Sequence, residues 1–361
     1  MNREIIEKKI ELLGNSFVRI LHEQDVNFLE GMKDNNLAGD DVRKYLFWEW
    51  TQGVGLYGFW KLYKHSSDKK YLDILLNYYD ERLAEGLPAK NINTMAPMLT
   101  LAFLYEHTGK KQYLEVCLEW VEWIMKELPR TEEGGFQHIT SDSINPQELW
   151  DDTLFMTVLF LAKMGDILDR REYIDEASYQ FLIHIKFLAD KHTGLWYHGW
   201  TFEERDNFAG AFWGRGNCWA TIAIPEFIEM VDINRAIRKY LEQILTNQVK
   251  TLEELQNPDG FWHTLIDDDT SYAEASATAG FAYGILKAVE MGILDEHYRD
   301  VGLKATKGII DMIDDKGLVN QVSYGTPMGR ESREFYKTIP IKPMPYGQAL
   351  AMLNLVQVYE V

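Results

Sequence analysis

The residues best placed to do chemistry are two adjacent carboxylates, Asp151 and Asp152, in the segment ELWDDTLFM. An aspartate at a helix start commonly caps it, satisfying orphan backbone N–H groups. Two in succession point about 100° apart on a helix, so one can cap while the other faces a cavity. A like charge next door and the apolar Trp150, Phe155 and Met156 push such a carboxyl toward its protonated form, able to donate a proton near neutral pH. The positive end of the helix dipole opposes that shift, and the sequence leaves the balance open.

A second constellation is WGRGNCW, residues Trp213 to Trp219. Its glycines permit close backbone approach. Arg215 offers a rigid cationic fork suited to a carboxylate, and Trp213 and Trp219 offer flat faces of the kind that stack on sugar rings. The competing reading is a turn with core tryptophans, but an arginine between two glycines is a poor core residue. Three histidines, His138, His198 and His263, recur near aromatics. They lack HxH or HxxxH spacing, so packing or a substrate hydrogen bond is expected rather than a metal, with His198 in YHGW the best ligand-binding candidate. Trp48, Trp50, Gln52, Asn91, Asn93, Glu274 and Tyr346 add the mix of aromatics, amides and carboxylates that sugar sites use, although packing explains such residues equally well. Trp196 and Tyr197 read as core.

These residues recur in phase with a larger pattern. Six times a cluster of aromatic, glycine and polar residues opens a paired-helix unit, at residues 45–60, 91–104, 149–162, 213–224, 272–286 and 344–356. Four units end on related segments, GGFQHI, TGLWYHGW, DGFWHTL and KGLVNQV. Helices following the openings, such as MLTLAFLYEHTG and TLFMTVLFLAKMGD, are apolar almost all round. The second helices are not: from Tyr113 to Leu128 the apolar residues Leu114, Val116, Cys117, Trp120, Val121, Ile124 and Met125 mark one face. Alternating fully and half-buried helices, about twelve in all, predict two concentric rings, an all-α (α/α)6 barrel or six-hairpin toroid whose openings gather around one funnel. Small hairpins are expected at FWHTLI and GLVNQV, with little other β-structure. The repeat crosses every candidate boundary, so residues 1–361 read as a single domain.

A net charge of −19 argues against nucleic acid or an anionic membrane as partner. It also requires a local cation if the substrate is anionic. No segment is apolar for the roughly 20 residues that a membrane span needs, and the N-terminal MNREIIEKKIELLG is a charged amphipathic helix rather than a signal peptide. Cys117 and Cys218 read as buried thiols in a reducing, cytoplasmic setting. No P-loop, Rossmann glycine pattern or His/Cys ligand spacing appears, so no cofactor or metal is expected.

The segments WTQGVGLYGFWKLY, NTMAPMLTLAFLYEHTGKKQYLE, WDDTLFMTVLFLAKMG, TGLWYHGW and WGRGNCW, in that order, resemble the unsaturated rhamnogalacturonyl hydrolases of glycoside hydrolase family 105. The unsaturated glucuronyl hydrolases of family 88 match these segments less well. The resemblance implies an (α/α)6 barrel acting on a small oligosaccharide with an unsaturated uronic acid at its non-reducing end. It implies hydration of the C4=C5 enol ether, to which the carboxylate-spacing rules of ordinary glycosidases do not transfer. By motif, the family's acid/base aspartate falls on Asp152, and its arginine and tryptophan on Arg215 and Trp219. The family's supporting acid lies near NINT, where this chain has Asn91 and Asn93. A six-hairpin sugar epimerase using the histidines, and a non-catalytic sugar-binding toroid, are the competing readings.

Overall fold

The structure is a computed structural model that describes residues 2–23 and 46–360; Tyr45, the first residue of the first opening, lies outside them. In chain order the helices are α1 (Arg3–Ile20), α2 (Trp50–Ser66), α3 (Lys69–Glu85), α4 (Ala96–Thr108), α5 (Lys111–Lys126), α6 (Leu159–Ile167) and α7 (Arg171–Leu188). They continue as α8 (Gly214–Met230), α9 (Arg235–Leu255), α10 (Ala275–Glu290), α11 (Tyr298–Met312), the short α12 (Glu334–Lys337) and α13 (Pro345–Glu360).

Six of these helices form the inner ring. α2 packs on α4, α4 on α6, α6 on α8, α8 on α10, α10 on α13, and α13 returns to α2. Every residue of α10 from Ala275 to Val289 is buried, as a helix enclosed on both sides requires. Where α8 and α10 meet, a Cβ on Gly284 would lie 2.7 Å from the Thr221 carbonyl carbon, so the close approach needs glycine. The outer ring is α3, α5, α7, α9 and α11, each packed on the inner helix before it, with α1 packed on α13. In α5 the buried residues are Tyr113, Cys117, Trp120, Val121 and Ile124, the single apolar face expected of an outer helix. The all-α toroid read from the sequence is therefore what the chain forms.

The β-structure differs from expectation. The one ladder among the described residues pairs β1 (Glu148–Trp150) with β2 (Gly199–Thr201), antiparallel. FWHTLI and GLVNQV supply only isolated bridges, such as His263 with Ala273 and Ile313 with Val319. The ladder forms where two segments must lie side by side to bring Asp151 beneath His198, whose carbonyl accepts the Asp151 N–H. Between β1 and α6, residues Leu154–Val158 take a π-helical turn. Such one-turn bulges often accompany functional sites.

At the other end of the ring, where the inner helices end, charges are buried. Lys163 bonds Glu106 and Asp166. Glu226 accepts from Tyr57, Lys61 and Tyr283, and Lys287 bonds Glu229. Lysines near helix C-termini also suit the negative end of the dipole. Burial raises the Glu226 pKa, but the charges of Lys287 and Lys61 and the two tyrosine hydroxyls outweigh it and hold the carboxyl near 2. No described helix is long and apolar enough to cross a membrane.

Candidate active site

The segments that open α2, α4, α6 and α8 border a cavity of about 210 Å³, with Gly325–Pro327 also in its wall; it is below the usual 300–1,000 Å³ of ligand clefts and thus suited to enclosing the end of a substrate rather than a long chain. Asp152, Arg215, Trp213, Trp219, His198, His138 and Asn93 all line it. Trp48 and Tyr346 do not. Trp48 precedes the Glu49 cap of α2 and turns away, donating from Nε1 to the Thr94 carbonyl at 2.8 Å and packing on Tyr78, Tyr79 and Trp120. Trp50, past the cap, takes the cavity position. Tyr346 lies a layer behind, stacked on Trp50 at 4.7 Å with its hydroxyl donating to the Ser323 carbonyl. His263 also lies elsewhere, bonded to the Ser271 carbonyl and Asn257.

The two carboxylates separate by burial. Asp151 is fully buried against Gly216, with neither oxygen hydrogen-bonded. Burial first, and the Asp152 charge second, raise its pKa well above the ordinary carboxylate range. Asp152 keeps 18% of its side chain open. Burial pushes its carboxyl up to about 7, against the lowering pull of its own N–H, of the Arg215 charge and of the Thr153 N–H. Desolvation thus outweighs the two backbone N–H groups and the Arg215 charge, and favours the protonated form in a balance the sequence left open.

Asp152 Oδ1 lies 3.4 Å from His138 Nδ1 without a formed hydrogen bond. His138 Nδ1 instead pairs with Thr153 Oγ1 at 2.7 Å, and its ring stacks flat on Trp150 at 4.3 Å. Burial, then the His184 charge, lower the His138 pKa to about 3, so a neutral imidazole sits beside a carboxyl that holds its proton near neutrality.

Arg215 serves the wall of the site. Nη1 donates to Ser276 and to the carbonyl and hydroxyl of Ser323, and Nη2 to the Tyr324 carbonyl and Thr326. Trp213 and Tyr346 cover the guanidinium at 4.7 and 4.6 Å, and Glu274 lies 3.8 Å away. Its terminal nitrogens are engaged in holding residues 323–326 against the cavity, while its charge remains the one permanent positive charge among the described lining residues. Among the described residues no three His, Cys, Asp or Glu side chains gather as metal ligands.

Several lining residues escaped the sequence reading: Glu49, the run Thr140–Ser143, Asn145, and Gly325–Pro327. Glu49 caps α2 and accepts from the Ser141 hydroxyl at 2.6 Å, and Asn91 donates to Ser141 at 2.9 Å. One usable signal was present: a carboxylate between two tryptophans directly before an inner helix.

Comparison with known proteins follows the same lines. The family model for Glycosyl Hydrolase Family 88 matches residues 28–361. The unsaturated rhamnogalacturonyl hydrolase YesR of Bacillus subtilis (strain 168) is 32% identical over 314 residues, 86% of this chain and 89% of that protein. A solved structure described as a possible member of family 105, from Salmonella enterica serovar Paratyphi A, superposes with a TM-score of 0.92 at 46% identity, covering 99% of this chain and 94% of the other. A family 105 glycoside hydrolase of C. acetobutylicum gives a TM-score of 0.80 at 27% identity, with 94% and 100% covered.

Proposed function

From a chain that belongs to glycosyl hydrolase family 88, we propose an unsaturated rhamnogalacturonyl hydrolase that frees the unsaturated galacturonyl residue from the non-reducing end of rhamnose-containing pectin fragments. The observation that carries the reading is Asp152, a cavity carboxyl whose pKa near 7 keeps it half protonated at neutral pH. An enol ether needs a proton at C4 and water at C5. Protonated Asp152 supplies the first, developing positive charge on C5 and the ring oxygen. The resulting carboxylate then takes a proton from the water that adds to C5. The product is a hemiketal. Its ring opens to the 5-keto form, and the exposed hemiacetal at C1 releases the aglycone alcohol.

Other cavity residues support this chemistry. Trp50, Trp150, Trp213 and Trp219 give apolar faces for the sugar. The Arg215 charge offsets the uronate carboxylate in a chain of net charge −19. Near NINT, Asn93 lines the cavity where an acid would be expected, so Asp152 carries the proton chemistry here. We take residues 1–361 as one catalytic domain, because ring closure uses both ends of the chain. A cytoplasmic location accords with two free, buried cysteines, and the net charge speaks against nucleic acid as a partner.

The test is the ultraviolet absorbance of the C=C–COO⁻ group. Hydration removes it, whereas epimerisation or binding leaves it. A panel of unsaturated galacturonyl–rhamnose and glucuronyl disaccharides should show loss of absorbance, fastest with the galacturonyl–rhamnose substrate. Unchanged absorbance across the panel would end the proposal.

A further inference from the structure

The imidazole of His198 is tied to a residue that lies 138 positions away in sequence. Its Nδ1 lies 2.6 Å from the Tyr336 hydroxyl. Tyr336, on α12, is 1% exposed. Its hydroxyl already accepts the Gly329 N–H at 3.1 Å. A phenol has one proton to give. The other acceptor near it is the Met328 sulfur at 4.0 Å, a weak and distant one. The nearer and stronger acceptor for the hydroxyl proton is His198 Nδ1, which must be bare to take it.

A neutral imidazole with a bare Nδ1 carries its proton on Nε2. Burial and the neighbouring charges keep His198 neutral. Among the described residues its Nε2 has no hydrogen-bond partner, and the residue lines the cavity. The Trp213 ring lies 4.3 Å from the His198 ring and 4.7 Å from the Arg215 guanidinium, so His198 flanks the positively charged side of the cavity, the side that favours an anionic group. Arg215 has both terminal nitrogens engaged with residues 276 and 323–326. It contributes charge there, and a direct donor must come from another side chain.

We propose that Tyr336 is a positioning residue that fixes His198 in its Nε2–H tautomer, making the imidazole a neutral hydrogen-bond donor to the carboxylate of the bound uronate. The assignment of the acceptor rests on the proposed function, whereas that of the tautomer does not. A neutral donor suits the place: it binds an anion without adding a second cation beside Arg215, whose repulsion would favour loss of the imidazolium proton. The 323–337 segment then acts at both ends, with Arg215 gripping its start and Tyr336 reaching back from its end.

The experiment uses the full chain labelled with ¹⁵N-histidine. Long-range ¹H–¹⁵N spectra report the tautomer, and the His198 signals are those missing from His198→Gln. Wild type should show protonated Nε2 and bare Nδ1 from pH 5 to 8. Tyr336→Phe keeps the ring but loses the hydroxyl, and should show a tautomer mixture or Nδ1–H. With the unsaturated disaccharide, Tyr336→Phe should raise KM about tenfold, as expected for a lost hydrogen bond to a charged group, with a smaller change in kcat. In the His198→Gln background the second substitution should change KM no further. An Nδ1–H tautomer in wild type overturns the proposal, as does an unchanged tautomer in Tyr336→Phe. An equal added loss in the His198→Gln background assigns Tyr336 a purely structural role and also overturns it. If wild type consumes no unsaturated uronide, the proposed function fails, and the spectra alone still decide the tautomer.

Discussion

Replacing Gly216 by alanine is the sharpest test of how the carboxylate pair is held. In an inner helix this substitution should by itself stabilise, by up to about 1 kcal/mol from helix propensity. Here the added methyl would lie 2.8 Å from Asp151 Cγ and 2.9 Å from Oδ1, and closer still to Oδ2. Ordinary contacts begin near 3.4 Å, so the carboxyl must retreat by at least about 0.6 Å at Cγ. It has little freedom to do so, since Asp151 is fully buried and its N–H is bonded to the His198 carbonyl. The strain passes to the next residue, Asp152. Overpacking of this kind costs about 1–3 kcal/mol, which cancels the propensity gain. Displacement of a catalytic group by about 1 Å costs on the order of 10²-fold in rate, so kcat should fall roughly tenfold to a hundredfold, with KM less affected. The assay is loss of unsaturated-uronide absorbance, at fold content matched by circular dichroism. Asp151→Ala in the same chain removes the colliding oxygens and should restore most of the lost kcat. Full activity in Gly216→Ala, or no recovery in the double variant, would refute the packing argument.

Asp152→Asn should lower kcat by about 10²–10⁴-fold while leaving substrate binding largely intact; Arg215→Ala should lower kcat/KM and the melting temperature together, because it frees the 323–326 wall, and an unchanged melting temperature would contradict that role. Activity should fall about tenfold per pH unit above pH 7 as Asp152 loses its proton, read from the pH dependence of kcat/KM. The raised folded-state pKa of Asp152 contributes stability at low pH that is lost as pH rises from about 4 to about 7. Asp152→Asn should therefore be more stable than wild type at pH 8 and similar near pH 4, by urea midpoint. His138 and His184 work oppositely: their lowered pKa values, about 3 and about 4, make the fold lose stability as pH falls below about 6.5. Glu226→Gln removes a buried charge facing Lys61 and Lys287, and should cost up to about 3–5 kcal/mol with KM unchanged; a melting temperature equal to wild type would count against the buried network.

The toroid was legible because its inner helices have no polar face, as in Ala275–Val289, while outer helices such as Lys111–Lys126 do. Asp152 was legible as a candidate because WDDT puts two acids at one helix start; the cap expected of its neighbour does not form, since Asp151 is buried with neither oxygen hydrogen-bonded. What the sequence could not show depends on helix phase or on distant chain. Trp48 and Trp50 are two residues apart, and the Glu49 cap between them sends one outward and one into the cavity. Arg215 read as a fork awaiting a substrate carboxylate; its partners Ser323, Tyr324 and Thr326 lie more than 100 residues on and carry no periodic signal. The Thr140–Asn145 loop and Gly325–Pro327 are irregular segments placed by the rings rather than by their own pattern. β1 and β2 were missed for a similar reason, being three residues each.

The closing position of α13 has a consequence for how the fold can fail. The ring is sealed by α13, Pro345–Glu360, which packs at once on α10, on α2 and on α1, so segments more than 300 residues apart in sequence meet at one seam. With α13 undocked, α2 and α10 each lack one flanking neighbour, and both helices are buried on nearly every side in the closed ring. Such a chain is an open five-sixths of a barrel with a sticky seam. Loosening that single helix should therefore bare two apolar flanks at once and yield aggregate rather than a weakened enzyme.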